Sequence, residues 1–503
     1  MVLPVVNPTP PGSCPALHTG AAMADIPRPA MRLLLLPLFL SVLASCQVAP
    51  PASRMAEANV ALPGAWSATR EGRAGVDADW VARMGSPRLT ALIAEAQAHN
   101  PDLKIAAARV DQARTVVKSV MGATRPTLEL ESAGNTNQRN FVGFPLPGNN
   151  GGVLTTRTEN YNLSFVTNWE LDIWGRYRAA TGAAIAAAQS AEQEQRAARA
   201  AIAAQTARTY FLLLEATEQT ELAQQAITAF EDTTKSLEER FRTGQAPDQG
   251  GLGAQLRLAR SDAAAARAAL EQRREVQGQA ARALEILLGR YPQGDRHRGE
   301  TLPALTTTPP AGLPSELLQR RPDILAAERR FAAQGMRQKE AVRAAWPSLK
   351  LTGSAGTSTA ALGDVLNSNF GIWSLGAKIF EPILTGGRVQ AEITKRRAEQ
   401  SEALAALQKT VLAAFGEVEN ALASESLLRS REAALTEASR LASEADSEAR
   451  ANFRQGLGDI LTVMAAQQRA LQSKSALATL RRLRLDNRIA LHLALGGDFR
   501  VRP

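Results

Sequence analysis

Few side chains in this 503-residue chain are placed to do chemistry. His18, His99, His297 and His492 lie far apart, none pairs at metal-ligand spacing, and no His-Glu-x-x-His occurs. Gly371 to Lys378 has the glycine spacing of a phosphate loop, but Ala377 stands before Lys378 where that motif needs Gly-Lys. The stretch also alternates like a strand. Gly250-Gly251-Leu252-Gly253 follows no strand and reads as the tip of a hairpin. Carboxylates are abundant at helical spacing, which marks a solvated helix face rather than a catalytic dyad. Cys14 and Cys46 both fall near the start of the chain, so the rest of it holds no disulfide framework and no cysteine metal site. No catalytic residue, cofactor site or metal ligand is assigned, and no cofactor is expected; the chain does not read as an enzyme.

Cys46 is the exception, because its surroundings are those of an address. Met31-Arg32 precedes an apolar run from Leu33, which ends in Leu43-Ala44-Ser45-Cys46. A charged start, a short apolar segment and small residues before the cleavage point form a signal peptide, and a cysteine at that point resembles a bacterial lipobox. Lipidation is therefore expected on Cys46, with several acyl chains holding it in a membrane. Gln47 follows where an Asp would retain a lipoprotein in the inner membrane, so the outer membrane is expected. Residues 1–30 are Pro-rich and fit no signal plan; they are expected to be an artefactual extension ahead of a start at Met31.

The composition points to long helices. The chain is 45% hydrophobic but only 5% aromatic, with Ala abundant. The apolar run at 33–44 is too short to span a bilayer. The net charge of +9 comes from Lys and Arg interleaved with acids along helices, a solvated face rather than a nucleic-acid surface.

The chain also repeats itself. Asn100-Pro101-Asp102-Leu103 matches Arg321-Pro322-Asp323-Ile324, and Arg125-Pro126-Thr127-Leu128 matches Trp346-Pro347-Ser348-Leu349, both at one common offset. Trp174-Gly175-Arg176 faces Gly386-Gly387-Arg388 and Phe241-Arg242-Thr243-Gly244 faces Phe453-Arg454-Gln455-Gly456, both at a second, slightly shorter offset. The length change falls in the Gly-, Asn- and Thr-rich stretch from Asn135 to Asn160, read as a loop.

Each copy opens with an Ala-rich helix, Arg88 to Thr124 or Ser315 to Ala345, ended by Pro126 or Pro347. A period-two segment follows. Tyr161, Leu163, Phe165 and Trp169 alternate with Asn162, Ser164 and Asn168; Trp373, Leu375 and Ile379 alternate with Ser374 and Lys378. Such a pattern suits a barrel with a wet lumen and a lipid-facing outside. Arg176 to Thr243 and Arg388 to Gln455 are then equal runs without proline, each about 100 Å long as a helix. Leu441, Ala445, Ala449 and Phe453 form one expected packing stripe. Gly244 and Gly456 mark the hairpin turns, and shorter helices return, Gln255 to Leu288 in the first copy. The returning helix and the Ala-rich helix are expected to stack end to end against the long one.

The fold class is therefore mainly α with a small β part: a long α-helical hairpin barrel continuous with an outer-membrane β-barrel of four strands per chain and twelve per trimer, built from two internal repeats. Four strands cannot close a barrel, and an open edge in lipid is not tolerated, so the barrel must be shared between copies. The expected domains are the extension and signal peptide (1–45), anchor and linker (46–87), repeat one (88–289), an equatorial linker (290–314), repeat two (315–496) and a tail (497–503).

These features resemble the outer-membrane efflux protein family, the TolC-like trimeric channels, in its lipoprotein branch. The resemblance rests on Cys46 in its lipobox, Asn100-Pro101-Asp102-Leu103, Trp169-Glu170-Leu171-Asp172-Ile173-Trp174-Gly175-Arg176, Arg320 to Glu328, Phe415 to Leu422 and Ala494-Leu495-Gly496-Gly497. It implies a homotrimeric exit duct of a tripartite efflux pump, with a periplasmic adaptor and an inner-membrane RND-type transporter docking at hairpin tips that open to pass substrate. Outer-membrane lipid is the other partner; nucleic acid is not. The second hairpin of the family often reads Leu-Thr-x-x-Asp-Ala-Gln. Here Leu461-Thr462-Val463-Met464 is followed by Ala465, so the Asp of the aperture is missing. Asp248, Asp459, Leu461, Thr462 and Ala465 are the candidate gate residues, with Leu461 able to form an apolar constriction. The alternative reading is a periplasmic adaptor or coiled-coil scaffold without a pore, which would carry one helical hairpin between β modules rather than two hairpins and two strand pairs.

Overall fold

The computed structural model describes residues 48–61, 63–68, 84, 86–141, 153–243, 252–295, 300–305 and 314–497. Cys46, Gly244 and Asp248 lie outside the described residues. The chain from Pro50 onward forms one compact unit.

That unit is mainly helical. Two helices, α1 (Pro87–His99) and α2 (Pro101–Gly122), lead into strands β1 (Thr127–Phe141) and β2 (Leu154–Leu171). The long helix α3 (Arg176–Arg242) and the returning α4 (Leu252–Leu287) follow. The same order recurs as α5 (Pro314–Arg320), α6 (Pro322–Arg343), β3 (Ser348–Thr359), β4 (Gly371–Phe380), α7 (Arg388–Arg454) and α8 (Ile460–Ala494). The long helices have 67 residues each, as the proline-free runs require.

Each expected Ala-rich helix is broken in two. Pro101 lacks an N–H and pushes the residue before it out of the helical region, so Asn100 sits at φ −59°, ψ 128°. Its side chain instead caps α2, accepting from the Asp102 N–H at 2.8 Å. Pro322 does the same to Arg321, at φ −74°, ψ 119°. The Asn135–Asn160 loop is also shorter than expected: β1 runs on to Phe141 and β2 starts at Leu154, paired throughout as Asn135 with Asn160 and Phe141 with Leu154. The residues there are polar on both faces, so no apolar alternation announces the strand.

The four strands form one antiparallel sheet in the order β1-β2-β3-β4. The helices lie against each other through small residues. At the waist, α1, α3, α4 and α8 share a core of Leu89, Ile93, Ala203, Ala207, Tyr210 and Leu284 with Ile489. Alanine lets these helix axes approach closely, and the aromatic pair Tyr210 and Phe211 fills the remaining volume. The expected stripe on α7 is only partly right. Phe453 is buried, but Leu441 is 51% exposed; the residues α7 buries within the chain include Val411, Ala414, Val418, Leu422 and Ala442.

The expected end-to-end stacking of short helices is present at a specific bond. Asn100 Nδ2 donates to the Leu287 carbonyl at 2.9 Å, joining the start of α2 to the end of α4. At the matching place α6 meets α8: Arg321 Nη1 donates to the Ala494 carbonyl at 3.0 Å. Arg321 also pairs with Asp323 at 2.6 Å and Glu417 at 2.7 Å. Burial opposes the Asp323 charge, but the Arg321 guanidinium and the Ile324 N–H outweigh it and hold the carboxyl below its ordinary value.

A group whose folded pKa is depressed stabilises the fold above its unfolded pKa and loses that contribution as pH falls through the folded value. Asp323→Asn is therefore expected to lower stability at neutral pH by roughly 1 kcal/mol or less, because the Asp323 side chain is 40% exposed and water screens the pair. The gap between variant and parent should close as the pH falls below about 4, near the ordinary carboxyl value of Asp. Thermal melts of the detergent-solubilised protein across pH check this; a gap that stays constant into acid contradicts it.

Candidate functional site: sheet faces, junction and helical tips

Pairing register decides what each face of the sheet presents. Leu130 stands opposite Phe165, Phe165 opposite Ala355 and Ala355 opposite Trp373. In the next rows toward the helices, Trp169 faces Leu351, and Leu171, Leu349 and Ile379 align. This face is apolar and exposed: Trp373 is 80% accessible, Leu375 82% and Ile379 73%. The other face carries Glu129, Glu131, Asn160, Asn162, Ser164, Asn168, Lys350, Ser354, Ser374 and Lys378, interrupted by Val166 and Ile372. Its side chains bond across strands, Ser354 Oγ to Ser374 Oγ at 2.8 Å and Ser358 Oγ to Asn160 Oδ1 at 2.8 Å. One side can meet hydrocarbon while the other walls a wet passage. Among the described residues no helix is long and apolar enough to cross a membrane.

The strands approach closely at Gly356. A Cβ there would fall 2.1 Å from the Leu163 carbonyl oxygen and 2.4 Å from the Ser164 Cα. Only glycine fits, so β2 and β3 can bend toward each other at the polar face.

The Trp169-to-Arg176 motif joins sheet to helix. Glu170 accepts from Arg176 at 2.6 Å and from the Tyr177 hydroxyl at 3.2 Å, with Lys350 at 3.7 Å. Asp172 accepts from the backbone N–H groups of Tyr177 at 3.0 Å and Arg178 at 2.9 Å, the open donors at the start of α3. Trp174 donates to the Pro347 carbonyl at 2.7 Å and packs on Trp346 with ring centroids 5.0 Å apart. The acids and the indole of the motif thus fix the direction in which α3 leaves β2.

The far end holds the candidate gate residues. Gly456 takes φ +78° after α7, and the Leu457 N–H reaches back to the Asn452 carbonyl at 2.8 Å, a helix-ending turn that favours glycine. Asp459 caps α8, its carboxylate accepting from the Leu461 N–H at 3.2 Å. Leu461, Thr462 and Ala465 lie on the exposed side of α8, while Ile460, Val463 and Met464 join Leu237 and Phe453 in the tip core. Leu461 and Ala465 line a groove of about 640 Å³ between α4 and α8, floored by Ala223, Ala226 and Phe230 of α3. Asp262 lies in the same groove, and burial raises its carboxyl above the ordinary value.

One tip residue is not legible from sequence. The Arg240 guanidinium stacks on the Phe453 ring, 3.9 Å from its centroid, and donates to the Phe453 carbonyl. This contact ties the end of α3 to the end of α7. Arg at 240 is one of many helix-face arginines, and no local pattern sets it apart. Gln467, which holds the Gln position of the second-hairpin motif, is buried and donates to Thr233 Oγ1 at 2.8 Å, fixing α8 on α3. Among the described residues no His, Cys, Asp and Glu group could hold a metal ion.

A two-faced antiparallel sheet continued by long helical hairpins defines an outer-membrane transport protein. The model of the outer membrane efflux protein family matches residues 92–290 and 313–497, and the chain belongs to that family. It is similar to the outer membrane protein OprJ of Pseudomonas aeruginosa, 31% identical over 466 residues that cover 91% of this chain and 94% of OprJ. The solvent efflux pump outer membrane protein SrpC of Pseudomonas putida is 28% identical over 82% of this chain and 86% of its own length. The cation efflux system protein CusC of Escherichia coli is 27% identical over 90% of this chain and 97% of its own. Among solved structures, the outer-membrane channel OprN superposes with a TM-score of 0.78 at 25% identity, covering 90% of this chain and all of OprN. The CusC structure gives 0.74 at 27%, again over 90% of this chain and all of CusC. The protein is an outer-membrane efflux channel of a Gram-negative bacterium, the exit duct of a tripartite pump.

Gly356→Ala is expected to abolish assembly of membrane-inserted channel, because its methyl meets backbone that cannot yield. Gly363→Ala, where a Cβ meets nothing within 4 Å, should be harmless. Outer-membrane fractionation of the two variants checks this; equal amounts of inserted protein contradict the packing argument.

Proposed function

We propose that three copies of this chain close one duct, with four strands from each making a twelve-stranded barrel and the helical hairpins continuing its wall into the periplasm. The observation that carries this reading is the sheet itself. Its apolar face is exposed, and β1 and β4 each have one unpaired edge. Unpaired backbone donors and acceptors cost several kcal/mol each in hydrocarbon, so the edges must find partners. Edge β1 of one copy against edge β4 of the next satisfies both.

The chain is built from two copies of one unit, residues 88–289 and 315–496, joined by the linker 290–314. Support comes from the paired contacts at Leu287 and Ala494 and from the equal lengths of α2 and α6, 22 residues each, and of α3 and α7, 67 residues each. Cys46 carries the lipid anchor that fixes residues 46–87 at the outer membrane. A periplasmic adaptor and an inner-membrane RND-type transporter dock at the tips. The relatives named for solvents and for cations share this architecture, so cargo is selected upstream of the duct.

The tip is the gate. Leu461 and Ala465 stand in place of an acidic ring, so constriction there is apolar, and Asp459 shapes the turn rather than the aperture. The Arg240–Phe453 contact holds the hairpins together in the closed arrangement. In planar bilayers, Arg240→Ala is expected to raise single-channel conductance several-fold. Arg260→Ala, which breaks only the exposed α3–α4 pair with Glu238, should leave conductance at the parental level. Parental conductance in the Arg240 variant contradicts the gate assignment, and the absence of channels from parent and variants alike contradicts the duct.

A further inference from the structure

The groove between α4 and α8 has the size and lining of a small-molecule site. It holds about 640 Å³, within the usual range for such sites, and α3 closes its floor with Ala226 and Phe230. Leu258 of α4 and Leu461 and Leu471 of α8 stand on its walls. The space is there because α4 turns short side chains toward it. Ala265, Ala266 and Ala269 recur at helical spacing on the lining face, and each ends at its Cβ.

Asp262 belongs to the same face of α4. Asp262 and Arg273 are the charged residues that line the groove; the lining residues of α3 and α8 carry no charge. Arg273 lies three turns farther along α4, about 16 Å away by helix rise. Among the described residues Asp262 makes no ion pair and no hydrogen bond. Burial alone raises its carboxyl above the ordinary value, and no neighbouring charge contributes.

Other acids of this hairpin are matched with arginines. Glu238 pairs with Arg260 at 2.7 Å, Glu231 with Arg267 at 2.6 Å and Glu271 with Arg274 at 2.7 Å. None of these residues lines the groove. Asp262 is therefore set apart. Its carboxylate is half-buried against apolar side chains, loses hydration there and gains no partner in return. A cation carried by a ligand supplies that partner, and the apolar walls take the rest of the molecule. Gln468 and Gln472 add amide groups on the α8 wall for further polar contacts.

We infer that the α4–α8 groove binds an organic cation with an apolar body, its charge against Asp262 and its body on Ala226, Phe230, Leu258 and Leu471. Such a ligand touches α3, α4 and α8 at once, so occupancy fixes the spacing of the two hairpins near the tip. The site lies within one chain and does not depend on how copies assemble. Because the cation favours the ionised carboxylate, affinity is highest at neutral pH and falls as the pH drops through the raised value of Asp262.

The probe is berberine, a permanent aromatic cation whose fluorescence rises in apolar surroundings. It is titrated into the full chain in detergent, with the signal of detergent alone subtracted. Saturable binding is expected at neutral pH. Asp262→Asn should weaken it about tenfold or more, the scale of one charged contact. Glu271→Gln, on the same helix but outside the groove, should bind like the parent. Ala226→Trp, which fills the floor, should bind weakly with Asp262 intact. The parent's own pH titration needs no variant and should show affinity lost in acid. Absence of saturable binding by the parent overturns the inference, as does affinity that stays constant into acid. Parental affinity in folded Asp262→Asn overturns the role of the carboxylate, and parental affinity in folded Ala226→Trp overturns the groove as the site.

Discussion

A peptide group in hydrocarbon has nothing to bond to except another peptide group. The rest of the structure follows from that constraint. It forbids a four-stranded sheet with two open edges and an apolar face from standing alone in a bilayer. Strands of 15 and 18 residues, at about 3.3 Å per residue, outreach the roughly 30 Å hydrocarbon core even when tilted. Their outer ends, with Asn135, Asn137, Arg139, Arg157 and Glu159, are polar on both faces. The inner ends meet the helices through the Trp169-to-Arg176 junction, whose acids and indoles are engaged in aiming α3.

Below the junction the wall is helical, and long helices cannot rely on a globular core. They are held by small residues and by buried charges at the waist. Glu425 accepts from Arg488 at 2.6 Å and Asn487 at 3.3 Å. Glu215 joins α3 to α8 through Thr479 at 2.6 Å and Arg482. Such pairs stabilise weakly against apolar substitutes, but removing one partner leaves a buried charge behind, so they fix register between helices. Together with the Asn100 and Arg321 junctions they define where each short helix ends against its long neighbour. Toward the tip the described helices are joined by the Arg240–Phe453 contact, the Gln467–Thr233 bond and a small core around Leu237 and Ile460.

Much of this is legible in the sequence, for physical reasons. The proline-free runs, bounded by Gly175 or Gly387 and by Gly244 or Gly456, locate both long helices almost to the residue. The period-two residues locate the sheet face. The recurrence of the same element order in the two halves shows in landmarks such as Asn100-Pro101-Asp102, because caps and prolines act locally. Three features are not visible. Strand beyond Gly134 and before Asn160 is polar on both faces, so it reads as loop. Asn100 and Arg321 break their helices, although an X-Pro step inside an Ala-rich run also fits a kink. The packing stripe on α7 is displaced, because Leu441 and Ala445 face away from the rest of the chain and sequence periodicity does not say which neighbour a face will meet. Of the candidate gate residues, Asp459 is a cap and Leu461 and Ala465 line the α4–α8 groove; Arg240, which is not among them, is hidden among similar arginines.

Electron microscopy of the detergent-extracted protein asks most directly whether several copies share one duct. Three-fold particles are expected, in which a tube of about 100 Å, from helix rise, continues a barrel held in the detergent belt. Monomeric or dimeric rods that leave the membrane without detergent would contradict a shared barrel.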